Sequence, residues 1–365
     1  MKKSIITLAL VLAVALLTGC AGTPVVYYSN CTCPTVPQNN TPADTTPVDT
    51  TPVDTKPVAD GAVKTGVAIV ASAVESKNAA ADAAGEAKYD VSVVAVTVDD
   101  NGVITNCIID SIGTSVAFDA NGAITTDLTA PIQTKNEQGD AYGMKAWGGA
   151  VAEWYEQAAS LASYAVGKTV EELKAGAVDE TGHAVDADLA TSATIYLEGY
   201  VSAIENAVFN AKHLGAQAGD ELKLAIIPGV SSSKSADGEN AGLAQLDVDA
   251  AAITLKDGVI TSAQIDSVQG KVNFDATGAI TGGTDGIFAT KNMLGEQYGM
   301  VAWGSAIAEW DAQAASFCAY ITGKTPAEVS GIAVNEGTKP TEADLAASVT
   351  IAIGGFQALV AKACG

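Results

Sequence analysis

The chain predicts an α+β fold made of two tandem homologous domains, each an antiparallel sheet with helices packed on one face. Three observations carry that expectation. Residues 91–209 return 156 positions further on. In each copy the strand-like segments come first and the helical ones afterwards. Strand and helix never alternate in the manner that builds a parallel sheet. The duplication is read residue by residue: Asn101-Gly102-Val103-Ile104-Thr105 returns as Asp257-Gly258-Val259-Ile260-Thr261, and Tyr142-Gly143-Met144 as Tyr298-Gly299-Met300. Glu153-Trp154 returns as Glu309-Trp310, and Gly167-Lys168-Thr169 as Gly323-Lys324-Thr325. A period of this length is a whole domain and not a solenoid unit. The expected organisation is a leader over residues 1–19, a linker over 20–58, one repeat domain over 59–213 and a second over 214–365.

The leader has a basic start at Lys2-Lys3, a short apolar core and Leu17-Thr18-Gly19-Cys20 at its end. That order is a secretory signal, too short and wrongly flanked for a permanent span. Leu-Thr-Gly-Cys resembles the bacterial lipobox, which makes Cys20 the lipidation site. The expected location is the cell membrane, with the chain lipid-anchored and facing away from the cytoplasm. After Cys20, Thr41-Pro42-Ala43-Asp44-Thr45 is followed by two Thr-Pro-Val-Asp-Thr pentads. Proline every fifth residue blocks helix, and the low apolar content blocks a core, so an extended stalk is expected.

Each copy then opens with a β-branched segment, residues 91–98, ending in Asp99-Asp100-Asn101-Gly102. A second strand over 103–109 completes a hairpin with Asn-Gly at its turn. The second copy makes the same turn one residue shorter, which shifts the spacing from 157 before it to 156 after it. Residues 116–118 and 123–125, on either side of Asp119-Ala120-Asn121-Gly122, predict another strand, turn and strand. Met144, Trp147, Val151, Trp154, Ala158, Leu161 and Ala165 recur at spacings of three and four and predict one amphipathic helix. Gly167 closes it. Thr169 and Glu172 form a capping box for a further short helix, as do Thr325 and Glu328 with Pro326 at the first helical position. Last comes an alanine-rich helix over 188–212, repeated over 344–364.

Charge narrows the function. The chain carries 19 Lys and Arg, all of them Lys, against 42 Asp and Glu, a net of −23. Nothing neutralises phosphates in series, so nucleic acid is excluded as a partner. Of the six cysteines, Cys31 and Cys33 fall in the linker, Cys107 in the first copy, and Cys318 and Cys364 in the second. No pair recurs between copies, so a disulfide framework is not the shared design, and a Cys318–Cys364 bridge stays open. His183 and His213 have no counterparts in the second copy, so no shared histidine metal site, and no metal, is expected. The chain shows no nucleophile elbow, zinc spacing or Walker loop, which argues against hydrolytic catalysis.

The candidate residues are those that both copies keep. Trp147 and Trp303 lie on the apolar stripe with Trp154 and Trp310, and either pack in a core or groove or stack on a ligand. Glu153 and Gln157, with Glu309 and Gln313, are either a paired polar site or a solvated helix face. Lys135 and Lys291, beside the Tyr-Gly-Met turn, either cradle an anion with the backbone amides or merely flank a tight helix start. Ser192 and Thr194, with Ser348 and Thr350, stand beside a helix start suited to a phosphate.

The hairpin Val96-Thr97-Val98 with Gly102-Val103-Ile104-Thr105 and Ile109-Asp110, followed by Ser192-Ala193-Thr194, resembles the FMN-binding domain of exported bacterial flavoproteins. About half of each copy is touched by the resemblance. In that family FMN is joined through its phosphate to a threonine, installed by a separate flavin transferase. Some members are stalked lipoproteins with two such domains that relay electrons at the cell surface. The resemblance implies FMN as cofactor and Thr194 and Thr350 as the flavin-bearing positions. It also implies aromatic rings beside the isoalloxazine, a flavin transferase or surface redox partner, and an electron carrier with no substrate of its own. The alternative expectation is a non-catalytic envelope module that binds a peptide, a wall polymer or a protein partner.

Overall fold

The computed structural model describes residues 61–365. The leader, Cys20, the stalk, Cys31 and Cys33 lie outside the described residues. In the first copy β1 (Lys64–Ser72), β2 (Gly85–Val98) and β3 (Ile104–Phe118) form an antiparallel sheet in that order. They are followed by α1 (Lys135–Gln138), α2 (Met144–Gly148), α3 (Trp154–Ala165), α4 (Val170–Ala177), α5 (Ala187–Ser192) and α6 (Glu198–Asn210). The second copy repeats the plan with β4 (Glu221–Gly229), β5 (Gly242–Lys256), β6 (Val259–Phe274) and the short β7 (Ile280–Gly282). Its helices are α7 (Lys291–Leu294), α8 (Met300–Gly304), α9 (Trp310–Ile321), α10 (Pro326–Ser330), α11 (Ala343–Ala346) and α12 (Gly354–Cys364). The α+β class holds: strands lead and helices follow in both copies.

Alternation along the strands assigns the two faces of each sheet. Tyr89, Val91 and Val93 of β2 point one way and meet Leu246, Val248 and Ala250 of β5 in one buried cluster. The two sheets therefore lie face to face. The intervening residues point outward, and there the pattern changes along the strand. Lys88, Asp90 and Ser92 lead to Val94, Val96 and Val98, and Gln245, Asp247 and Asp249 lead to Ala251, Ile253 and Leu255. Helices cover the apolar end of each outer face: α6 packs on β1 and β2 and α3 on β3, while α9 and α12 cover the second sheet. Each fully buried Val, Leu or Ile contributes about 1.5–3 kcal/mol, so the face between the sheets is a major source of stability.

The copies also exchange backbone bonds. Ala79 N donates to Gly278 O at 2.8 Å, and Ala236 N donates to Gly122 O at 2.8 Å. Ile280 N donates to Asn78 Oδ1 at 2.8 Å, and Ile124 N donates to Ser235 Oγ at 3.0 Å. The reciprocity is that of a two-fold axis inside one chain. Phe118 and Phe274 stack beside it with centroids 4.0 Å apart and planes 2° from parallel. Each ring lies over a glycine on the next strand: a Cβ at Gly85 would come within 2.3 Å of Phe118, and one at Gly242 within 2.2 Å of Phe274.

Five details differ from the sequence reading. The expected strand at 123–125 is reduced to a single bridge between Ile124 and Phe118. The predicted strands at 103–109 and 116–118 are one continuous strand, β3, because nothing between them interrupts pairing with β2. β1 and β4 are added at the front of each sheet. The predicted helix through Trp147 and Trp154 is two helices, because Gly149 takes a left-handed φ of 64° and ends α2. The last helix is broken between α5 and α6, where the amides of Thr194 and Ile195 are drawn off by a glutamine side chain. The hairpin of the second copy turns on Asp257 and Gly258, with φ of 52° and 78°, the pair of positive values a two-residue turn requires. In the first copy Gly102 alone of Asn101-Gly102 is positive, at 81°, and its amide donates to Asp99 O at 3.2 Å.

Phe118→Ala should lower stability by about 3–5 kcal/mol, since it opens a cavity in the face that both sheets share. Urea denaturation followed by tryptophan fluorescence and by circular dichroism should show one coincident transition, shifted for both probes.

Candidate functional site

Both copies build the same arrangement at the edge of the third strand. Asp110 is buried in β3, and its Oδ1 accepts from Ser111 N at 2.7 Å and Asn136 N at 3.1 Å. Asn136 Nδ2 returns a bond to Ile109 O at 3.0 Å. Asp266 repeats this with Ser267 N at 2.7 Å and Asn292 N at 3.1 Å, and Asn292 Nδ2 donates to Ile265 O at 3.0 Å. Burial pushes the Asp266 carboxyl up to about 6 despite these donors, and Asp110 is raised for the same reason. The Thr-Lys-Asn segment is thereby fixed to the sheet.

The lysine in that segment then reaches two aromatic faces. Lys135 Nζ lies 5.3 Å from the Tyr142 ring centroid and 5.1 Å from that of Trp154. Lys291 Nζ lies 5.4 Å from Tyr298 and 4.8 Å from Trp310. Cation–π contacts of this kind are worth about 0.5–2 kcal/mol each. Burial lowers Lys291 below the ordinary ammonium range, while the fields of Asp249, Asp247 and Asp266 pull it back. Trp154 and Trp310 are buried, so this pair of tryptophans belongs to the core.

Trp147 and Trp303 do not. Each is 91% exposed, against the expectation of a buried stripe. They are nevertheless held. Glu153 accepts from Met144 N at 2.8 Å and Lys145 N at 3.0 Å, pinning the start of α2, and Glu309 does the same for Met300 N and Val301 N at 2.8 and 2.9 Å. The indole then lies down on the preceding glycine. A Cβ at Gly143 would be 2.5 Å from Trp147 Cδ1, and one at Gly299 2.5 Å from Trp303 Cδ1, with φ of 81° at both glycines. Glu153, buried, and Glu309, half-buried, are thus anchors and not part of a solvated helix face.

Gln157 and Gln313 are fully buried as well. Gln157 Oε1 accepts from Thr194 N at 2.7 Å, Ile195 N at 3.1 Å and Thr194 Oγ1 at 3.2 Å. Gln313 Oε1 takes Thr350 N, Ile351 N and Thr350 Oγ1 at 2.8, 3.2 and 3.2 Å. Ser192 Oγ donates to Leu189 O at 3.2 Å, and Ser348 Oγ to Leu345 O at 3.3 Å. The four hydroxyls therefore serve the bend ahead of α6 and α12 and do not sit at the first turn of either helix. α3 and α9 string the candidates together, with Glu153 and Trp154 at the helix start and Gln157 one turn on.

A groove of about 1140 Å³ lies between the segment joining the copies and the face of α9; Ile265 and Asn292 line it, but the sequence-predicted lysines, tryptophans, serines and threonines do not. Its sequence signal was a difference between the copies, Ala312 where α3 has Glu156. Cys107 and Cys318 are free and buried, with burial pushing both thiols up to about 12, and Cys364 is also free. Among the described residues no group of three or more His, Cys, Asp or Glu side chains is placed to hold a metal ion. No protein-family model, curated protein or solved structure matches the chain.

Gln157→Leu should cost about 1–3 kcal/mol, because the amides of Thr194 and Ile195 lose their acceptor, and hydrogen exchange should quicken at those two amides first. Between about pH 4 and 6 the folded chain keeps a proton on Asp266 that the unfolded chain releases, so this group makes stability fall as pH rises through that window. Asp266→Asn should flatten the slope there in urea midpoints measured across pH.

Proposed function

We propose that the chain is a non-catalytic binding module that grips an extended partner at two points, through Trp147 and Trp303. The observation that supports this is the pair of indoles, each 91% exposed and each fixed by an acid and a glycine in the same way. A large apolar ring left in water, with its backbone already ordered, is suited to bind without a further ordering penalty. Val151 and Ile307 are exposed in the same turns and widen each apolar tip. Two tips on one rigid body raise affinity for a repetitive partner by about 10²–10⁴ when both engage. The net −23 rules against polyanionic partners and suits an uncharged or basic polymer or protein of the cell envelope. Anchoring through Cys20 at the outer membrane surface belongs to this proposal, since it sets the tips where such a partner is found.

The electron-carrier reading places FMN on Thr194 and Thr350. Both hydroxyls already donate to a buried glutamine, and both threonines stand away from the groove beside α9. The geometry therefore lends more to the binding module.

Binding to the envelope fraction of the producing cells, titrated by tryptophan fluorescence and by co-sedimentation, should weaken at least about tenfold in Trp147→Ala or Trp303→Ala and vanish in the double variant. A double variant that binds as the native chain does would overturn the reading. Chain made alongside a flavin transferase should be colourless; a fluorescent gel band lost in Thr194→Ala with Thr350→Ala would favour the carrier instead.

A further inference from the structure

The groove beside α9 has a built character that the first copy lacks. One wall is the segment joining the copies, with Phe209 at the end of α6 followed by Lys212 and Leu214; the other is the α9 face bearing Ala312, Ala315 and Ala319. At the positions of Asp311, Ala312 and Ala319, α3 of the first copy carries Tyr155, Glu156 and Ser163. The trimming has a structural cost. Glu156 accepts from Glu153 N at 2.8 Å and completes a capping box, whereas the start of α9 has no such box. A helix cap was given up where a flat alanine floor was gained.

At the rim stands Phe209, 89% exposed. It lines the groove without filling it. Gly365 occupies the equivalent position in the second copy, so the chain carries one projecting ring and one alanine floor, side by side on one patch. Two charges on the patch, the Lys212 ammonium and the Asp311 carboxylate, have no partner among the described residues.

We propose that this groove is the interface of a two-fold homodimer in which Phe209 of each chain seats on the α9 alanine face of the other. A self-complementary patch is what a two-fold contact requires, since each residue meets its complement twice. The charges point the same way. A small anionic ligand would meet Asp311 and a cationic one would meet Lys212, whereas a second copy pairs Lys212 with Asp311 in both directions. The net −23 on each chain opposes approach at long range, so salt that screens it should tighten the dimer.

Sedimentation equilibrium of the purified full chain, over a micromolar concentration series and from low to high salt, tests this. The native chain should dimerise, more tightly at higher salt. Phe209→Ser should loosen the dimer at least about tenfold while leaving the circular dichroism spectrum unchanged, because the ring is exposed in the monomer. Lys212→Asp and Asp311→Lys should each weaken it, and the two together should restore it. The proposal is overturned by a monomer at every concentration and salt, by a Phe209→Ser dimer as tight as the native one, or by a combined charge exchange no tighter than its parents. A monomer carrying a small apolar molecule in native mass spectrometry, lost in Ala315→Glu, would overturn it as well.

Discussion

Each sheet in this molecule has two faces to bury, and its own helices cover only part of one. The face carrying Tyr89, Val91 and Val93 has no helix of its own copy against it, and the face carrying Leu246, Val248 and Ala250 is in the same position. A three-stranded sheet left with such a surface in water would forfeit about 25 cal/mol for every Å² exposed. Packing the two sheets on each other removes both surfaces at once. The rest of the architecture follows from that contact. The helices are left the apolar ends of the outer faces.

The duplication also acts as an internal control on every side chain. Where both copies place a residue identically, a local role is indicated. The Glu153 and Glu309 carboxylates pin the α2 and α8 amides, the Gln157 and Gln313 amides hold the bends, and Lys135 and Lys291 lie across the same two rings. Where the copies differ, the difference has a place. Trp154 meets the Tyr200 ring and Trp310 the Phe356 ring edge-on, each at 5.7 Å, and only the first copy adds a hydrogen bond, from Trp154 Nε1 to Tyr200 OH at 3.1 Å.

Much of the fold was legible because its signals are local. Asp257-Gly258 specifies a turn through its backbone preference, and Thr169 and Glu172 satisfy each other across one helical turn. α3 ends one residue before Gly167, at the extended Val166, and the Gly167 amide donates to Ile104 O at 2.8 Å. What was not legible depends on partners distant in sequence. The break ahead of α6 is held by Gln157, 37 residues before Thr194. Trp147 kept the three-and-four spacing of a buried stripe, yet Gly148-Gly149 ends the helix before the stripe can be buried. β1 carried a usable signal in Ala68-Ile69, matched by Ala225-Ile226, but it precedes the segment where the copies agree strongly. The groove beside α9 was encoded in a disagreement between the copies, which a search for shared residues passes over.

The exchanged bonds between residues 78–79 and 278–280, and between 122–124 and 235–236, have a further implication. Each half lends its loop to the other in the same manner, and the Phe118 and Phe274 rings meet as like to like. Nothing in that contact needs the peptide that joins the halves. A single copy could close the same interior by associating with its twin. The two halves differ at Glu156 and Ala312, on the flank, while the seam is the same from both sides.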